Sequence, residues 1–158
     1  MSNHAYNILK QADKTSARHL QPGGWFEMKE LALPVRNDDG TLSPDDALYK
    51  WSELMVEASG RLNQSLDKPP NYAQWMCEAG FVNVQSHMFR WPSNPWPRDE
   101  KHKRLGLWSL ANSLDGLEGF TMAYFTRVLG WQPEEVQVFL IDVRDDSKNR
   151  QKHAYCPV

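Results

Sequence analysis

Only two stretches of this chain alternate like β-strands, and they stand far apart among segments with helical spacing. Trp25, Glu27, Lys29 and Leu31 share one face of the first, with Phe26, Met28, Glu30 and Ala32 on the other. The second, Phe81 to Arg90, sets Phe81, Asn83, Gln85, His87 and Phe89 against Val82, Val84, Ser86, Met88 and Arg90. Neither face of the second is purely apolar, so one side is expected to meet a cavity or a partner. The fold class this implies is α/β, mostly helical around a small residual sheet.

The helical segments are bounded by clear signals. About His4 to His19 reads as an amphipathic helix stopped by Pro22-Gly23-Gly24. Asn37-Asp38-Asp39-Gly40 reads as a turn. Ser43 before Pro44, Asp45 and Asp46 is a helix start, and Leu48, Trp51, Leu54, Met55, Ala58 and Leu62 carry its apolar stripe to about Leu66. Pro69-Pro70 opens a short helix that Gly80 ends. Trp91 to Pro97 holds three prolines and reads as a stiff aromatic loop without regular structure. Beyond it lie helices at Asp99 to about Leu114 and Gly116 to Leu129, a break at Gly130-Trp131, and a final helix from Gln132-Pro133.

With 158 residues, 41% of them hydrophobic, the chain reads as one domain over 1–158 with a substantial core. A formal net charge of −2 offers phosphate backbones no general attraction, which argues against nucleic-acid binding. The absence of a long apolar run or a leader-like opening predicts a soluble, cytoplasmic protein without membrane contact. Cys77 and Cys156 lack metal-ligand spacing and read as free thiols. No zinc spacing, phosphate loop or serine elbow is present, so no metal is expected. Seven tryptophans suit either a dense core or the wall of an apolar pocket.

Several residue types bear chemistry. Glu30, with Glu27, can act as a general base or stand as a surface carboxylate on a sheet edge. His87, leading into the aromatic loop, can exchange a proton near neutral pH or serve as a structural hydrogen bonder. Tyr124 and Arg127 share a helix face, and together a phenol and a guanidinium polarise a carbonyl or bind a carboxylate. Trp91 and Trp96, held by prolines, with Phe89 and Trp25, are the candidate walls for an apolar substrate; packing against a neighbouring helix is the alternative. His102 among Lys101, Lys103 and Arg104 reads as a solvated basic helix start. His153 stands near Tyr155 and Cys156 in what reads as a mobile tail.

Seven short runs taken in order resemble the C-terminal part of LaeA-like fungal methyltransferases. They are Pro22-Gly23-Gly24-Trp25-Phe26-Glu27, Asp39-Gly40-Thr41-Leu42, Gly60-Arg61, Ala79-Gly80-Phe81-Val82, Trp96-Pro97, Leu129-Gly130-Trp131 with Glu134-Glu135-Val136, and His153-Ala154-Tyr155. The resemblance implies a truncated class I S-adenosylmethionine-dependent methyltransferase fold and a place in secondary metabolism. The Gly-rich turn and ribose-binding acid of that family have no counterpart here, so no cofactor-binding residue carries over. S-adenosylmethionine is expected only if the missing half is supplied.

The family pattern also continues past His-Ala-Tyr into a last strand lying between the two strands read above. With that strand cut short, those two are expected to pair directly, recruit a strand from another chain, or expose their edges, and a homodimer follows. The expected function is cofactor-independent cyclisation, isomerisation or a pericyclic step on a hydrophobic natural-product intermediate. The alternatives are a methyltransferase portion that needs its other half, and a non-catalytic regulatory or binding module.

Overall fold

The structure, a computed structural model, describes residues 20–158; the helix expected at about His4 to His19 lies outside the described residues. The described elements are mostly helical. In chain order they are α1 (Ala47–Arg61), a 3-10 turn at Pro69–Asn71, α2 (Tyr72–Glu78), β1 (Arg90–Pro92), α3 (Glu100–Tyr124), a widened turn at Phe125–Leu129, α4 (Pro133–Lys148) and β2 (Tyr155–Pro157). Helices α1, α3 and α4 pack on one another around Leu48, Met55, Leu117, Phe125, Val136, Leu140 and Val143, all buried. Phe125, fully buried, meets Trp131 edge-on at 5.0 Å, and Trp51 Nε1 donates to Thr121 Oγ1 at 2.9 Å to tie α1 to α3.

The small sheet differs from the expected one in a specific way. β1 and β2 are antiparallel, with Trp91 opposite Cys156. On its other side β2 meets the chain at Arg36, which exchanges two backbone hydrogen bonds of 2.8 Å with Tyr155, and Ala32 N–H donates to the Pro157 carbonyl at 2.8 Å. The last residues therefore fill the place between the two strand-like regions, which do not pair directly. They are no mobile tail either: Ala154 and Tyr155 are buried.

Both strand-like runs contribute only their ends. The residues from Trp25 to Leu33 form no strand, and Trp25 is 89% exposed. Their charges stand on both faces, so no register buries an apolar side. Pairing in the second run starts only at Phe89, which exchanges backbone bonds with Val158, while Asn83 at φ 56° interrupts the extended chain. Trp91 and Pro92, expected in an irregular loop, belong to β1 instead. Proline is tolerated there because β1 lies at the sheet's edge among the described residues.

Three helix boundaries also move. Ser43-Pro44-Asp45 makes a turn before the helix, in which Asp46 N–H donates to the Ser43 carbonyl, and Asp46 is the N-cap of α1. That helix stops at Arg61 rather than near Leu66, where Asn63 turns left-handed at φ 60°. Between Asp99 and Leu129 the two expected helices are one: α3 runs unbroken for 25 residues through Gly106, Gly116 and Gly119. An internal glycine costs about 1 kcal/mol against alanine, and burial of Leu117 and Thr121 opposes that cost.

Gly106 has its own reason to be glycine. The Asn94 backbone crosses α3 so closely that a Cβ at 106 would lie 2.2 Å from the Asn94 carbonyl oxygen. Asn94, fully buried, in turn donates from Nδ2 to the Asn149 and Lys152 carbonyls, fixing the turn between α4 and β2. At that turn Lys152 Nζ joins Asp46 at 2.8 Å and also Asp146, so the start of α1 is clasped to the end of α4. Burial is the largest single influence on Asp46 and opposes its charge, but the hydrogen bonds from Lys152 and the Ser43 N–H and the charges of Lys152 and Lys50 together outweigh it and lower the pKa. Burial likewise opposes charge on Lys152, and its bonds to Asp146 and Asp46 raise the pKa above the usual lysine value.

Two outcomes are expected. Gly106→Ala should lose about 1–3 kcal/mol in urea denaturation, despite alanine's better helix propensity, because backbone must shift to admit the methyl. Stability from the clasp should be full between the ordinary carboxylate and lysine ranges. It should fall as acid protonates Asp46 through its lowered pKa, and fall again as alkali removes the Lys152 proton through its raised pKa. Melting temperatures across pH should show both limbs, and Lys152→Met should remove the alkaline one.

Candidate functional site

The insertion of β2 brings together residues that lie far apart in sequence. A groove of about 670 Å³ opens where the 38–39 turn, the chain entering β1, the aromatic loop, the start of α3 and the start of β2 converge. Met88, Phe89, Trp96 and Pro97 give it apolar surface. Around these stand Asp38, Asp39, Arg90, Arg98, Asp99, His102, His153 and Tyr155.

Its centre is an aspartate–histidine pair. His153 Nδ1 lies 2.5 Å from Asp39 Oδ2, and the His153 ring stacks on Trp96 with centroids 4.8 Å apart. Thr41 braces both partners: its hydroxyl donates to Asp39 Oδ1 at 2.7 Å and accepts from His153 N–H at 2.8 Å. Trp96 is itself pinned, since Nε1 donates to the Ala154 carbonyl at 2.9 Å. The hydrogen bond from Thr41, followed by that from His153, holds the Asp39 carboxyl well below the usual carboxylate range. An ionised Asp39 against Nδ1 favours the tautomer with hydrogen on Nδ1, which leaves Nε2 as an acceptor for a proton.

The other ionic groups are mostly satisfied. Tyr155 O–H donates to Asp38 Oδ1 at 2.9 Å, and Arg90 meets Asp38 Oδ2 at 2.6 Å while lying 5.3 Å over the Tyr155 ring. Burial, then the bond to Asp38, raises the Tyr155 pKa, so its phenol stays protonated. His102 pairs with Asp99 at 2.9 Å, and Asp99 caps α3 by accepting from the His102 N–H. Cys156 lies behind this wall half-buried, and burial pushes its thiol up to about 12, which leaves it un-ionised and a poor nucleophile.

Of the residues singled out from sequence, Phe89 and Trp96 line this groove. His87, Glu30 and Trp25 are exposed on the segments leading to the sheet. Trp91 is half-buried in β1 with Lys29 Nζ 5.0 Å over its ring. Tyr124 ends α3 and Arg127 lies in the widened turn beyond it. At ~1.5 Å per residue α3 spans roughly 37 Å, and the groove sits at its first turn, so Tyr124 and Arg127 do not converge with Trp96. Sequence reasoning passed over the pairing of Asp39 with His153, 114 positions apart. The signal was present: both stand inside runs that carried the family resemblance.

The Gly-rich strand-to-helix turn expected of an S-adenosylmethionine site has no counterpart among the described residues. None of their glycines joins a strand to a helix start, and neither described strand is followed by such a turn. No cluster of ligands suited to a metal ion exists among the described residues, and no described helix is long and apolar enough to cross a membrane.

Comparison with known proteins identifies the lineage as one related to methyltransferases. Over 151 residues, 96% of its length, the chain is 47% identical to probable methyltransferase tdiE of Emericella nidulans, of which it covers 46%. It is 37% identical over 136 residues to methyltransferase pytC of Aspergillus terreus, covering 86% of this chain and 42% of that one. With secondary metabolism regulator LAE1 of Cochliobolus heterostrophus it shares 37% identity over 139 residues, 87% of this chain and 45% of that one. No protein-family model and no solved structure matches it. The resemblance to LaeA-like methyltransferases therefore holds along nearly the whole chain, which spans less than half the length of these relatives.

The bracing of Asp39 is directly testable. Thr41→Val should move the Asp39 titration upward toward the ordinary carboxylate value, read from carboxyl carbon shifts over an acid pH series, while the His153–Trp96 stack persists in the aromatic NMR spectrum.

Proposed function

We propose that this chain is a methyltransferase-like enzyme of fungal secondary metabolism that works without its own cofactor on a hydrophobic small molecule. The observation that carries the proposal is the Asp39–His153 pair stacked on Trp96 in an apolar groove. The pair is a general base: Nε2 accepts a proton from an acidic C–H or O–H, and ionised Asp39 stabilises the imidazolium that results. Returning that proton elsewhere on the substrate is an isomerisation, and the carbanion or alkoxide left behind can close a ring. Phe89 and Trp96 supply flat surface that holds a planar substrate and excludes water.

A second reading has one observation in its favour. The chain spans less than half the length of relatives named as methyltransferases; in this reading the groove is the acceptor side of a larger fold, with the same base acting on the methyl acceptor. A homodimer accompanies either reading, supported by exposed apolar side chains such as Trp108 on α3 and Val138 and Ile141 on α4.

A planar probe with an acidic C–H, 5-nitrobenzisoxazole, tests the base, because its ring opens when a base removes that proton. The purified chain should accelerate ring opening over buffer, and His153→Gln should lower the rate by about 100-fold while the protein still melts cooperatively. Equal rates for the two proteins would overturn the reading. Calorimetric titration with S-adenosylmethionine separates the alternatives: micromolar binding by the chain alone would bring methyl transfer forward, and sedimentation of the same sample reads the dimer.

A further inference from the structure

One charged group of the groove is left without a partner, and it is specific. Each of its carboxylates is engaged: Asp38 with Arg90 at 2.6 Å, Asp39 with His153 at 2.5 Å, and Asp99 with His102 at 2.9 Å. Arg98 lines the same groove and has no side-chain hydrogen bond, ion pair or ring contact among the described residues. Its backbone is nonetheless well placed. Pro97 precedes it and the capped first turn of α3 follows, so its Cα is held while the guanidinium remains available to solvent. A guanidinium presents paired N–H groups in the plane that a carboxylate matches, and it binds that group better than a point charge does.

We propose that the groove selects a planar anion, an aromatic or conjugated carboxylate whose acid group pairs with Arg98 while its flat body lies against Phe89 and Trp96. The inference rests on the reading of the groove as a small-molecule site and adds the charge class of its substrate. Three features support an anion over a cation or a neutral molecule. Each carboxylate in the groove already holds a hydrogen-bond or ion-pair partner. The unpartnered group is cationic. The apolar surface beside it is aromatic, which suits conjugated ligands better than flexible aliphatic ones. Anchoring at Arg98 also gives the substrate a fixed register, which a purely apolar groove lacks, and this orients one face of the ligand for His153.

The test compares 2-naphthoate with its neutral isostere 2-naphthamide by calorimetry at fixed, low ionic strength. The wild-type chain should bind naphthoate about ten-fold more tightly than naphthamide, the difference expected of one charge-assisted pair in a half-open site. Arg98→Gln should abolish that preference, weakening naphthoate far more than naphthamide; Arg98 is exposed, so the fold should survive, as a melting curve verifies. Trp96→Leu should weaken both ligands alike. Equal affinity for the two ligands on the wild type, or a preference that survives Arg98→Gln, overturns the anion selectivity. If both bind equally and both depend on Trp96, the groove stands as a site and only the charge class fails. If neither binds, or binding ignores Trp96, the small-molecule reading of the groove fails with it.

Discussion

The sheet and the groove depend on three residues, Tyr155 to Pro157, whose backbone joins two segments that share no backbone hydrogen bond of their own among the described residues. Tyr155 exchanges backbone bonds with Arg36 on one side and faces Pro92 on the other. Without that insertion the Ala32 N–H, both backbone groups of Arg36 and the groups that β1 turns toward β2 would lose their partners, and buried unpaired backbone groups are expensive. The clasp of Lys152 on Asp46 and Asp146 and the hold of Asn94 on the 149–152 turn act just before the insertion. They deliver the strand to its slot, so sheet and groove are parts of one arrangement.

Much of the helical frame was legible because helices announce themselves locally. Pro133 at the first position, Glu134 and Glu135 in the first turn, and Gly130 at φ 79° before them mark α4 without reference to anything distant. Gly80 at φ 99° ends α2 as read. Gly116 misled for a physical reason: a glycine with Asp115 before it resembles a break, yet Gly106 before it and Leu117 and Thr121 after it are all buried, and the helix continues. Tertiary packing exceeded local preference by more than the glycine cost.

The strands were misread because alternation carries no information about a partner. Residues 25–33 and 81–90 alternate, but pairing requires a third segment, and that segment is only three residues long and rich in neither β-branched nor large aliphatic side chains. The candidate site followed the same pattern. Phe89 and Trp96 were accessible to sequence reasoning as aromatics near a rigid loop. Asp39 and His153 each looked ordinary alone, one a turn acid and the other a residue near the end, and only the sheet register gives them a shared purpose.

The separation of Asp39 from His153 by 114 positions has a consequence in time as well as space. Contacts that close so long a loop form late and slowly, since the chain must lose most of its freedom before they reward it. The helices pack largely through α1, α3 and α4, whose core contacts do not need β2. A molecule that has collapsed its helices but not seated its last strand therefore has a hydrophobic interior and no base. The groove is a reporter of completed folding.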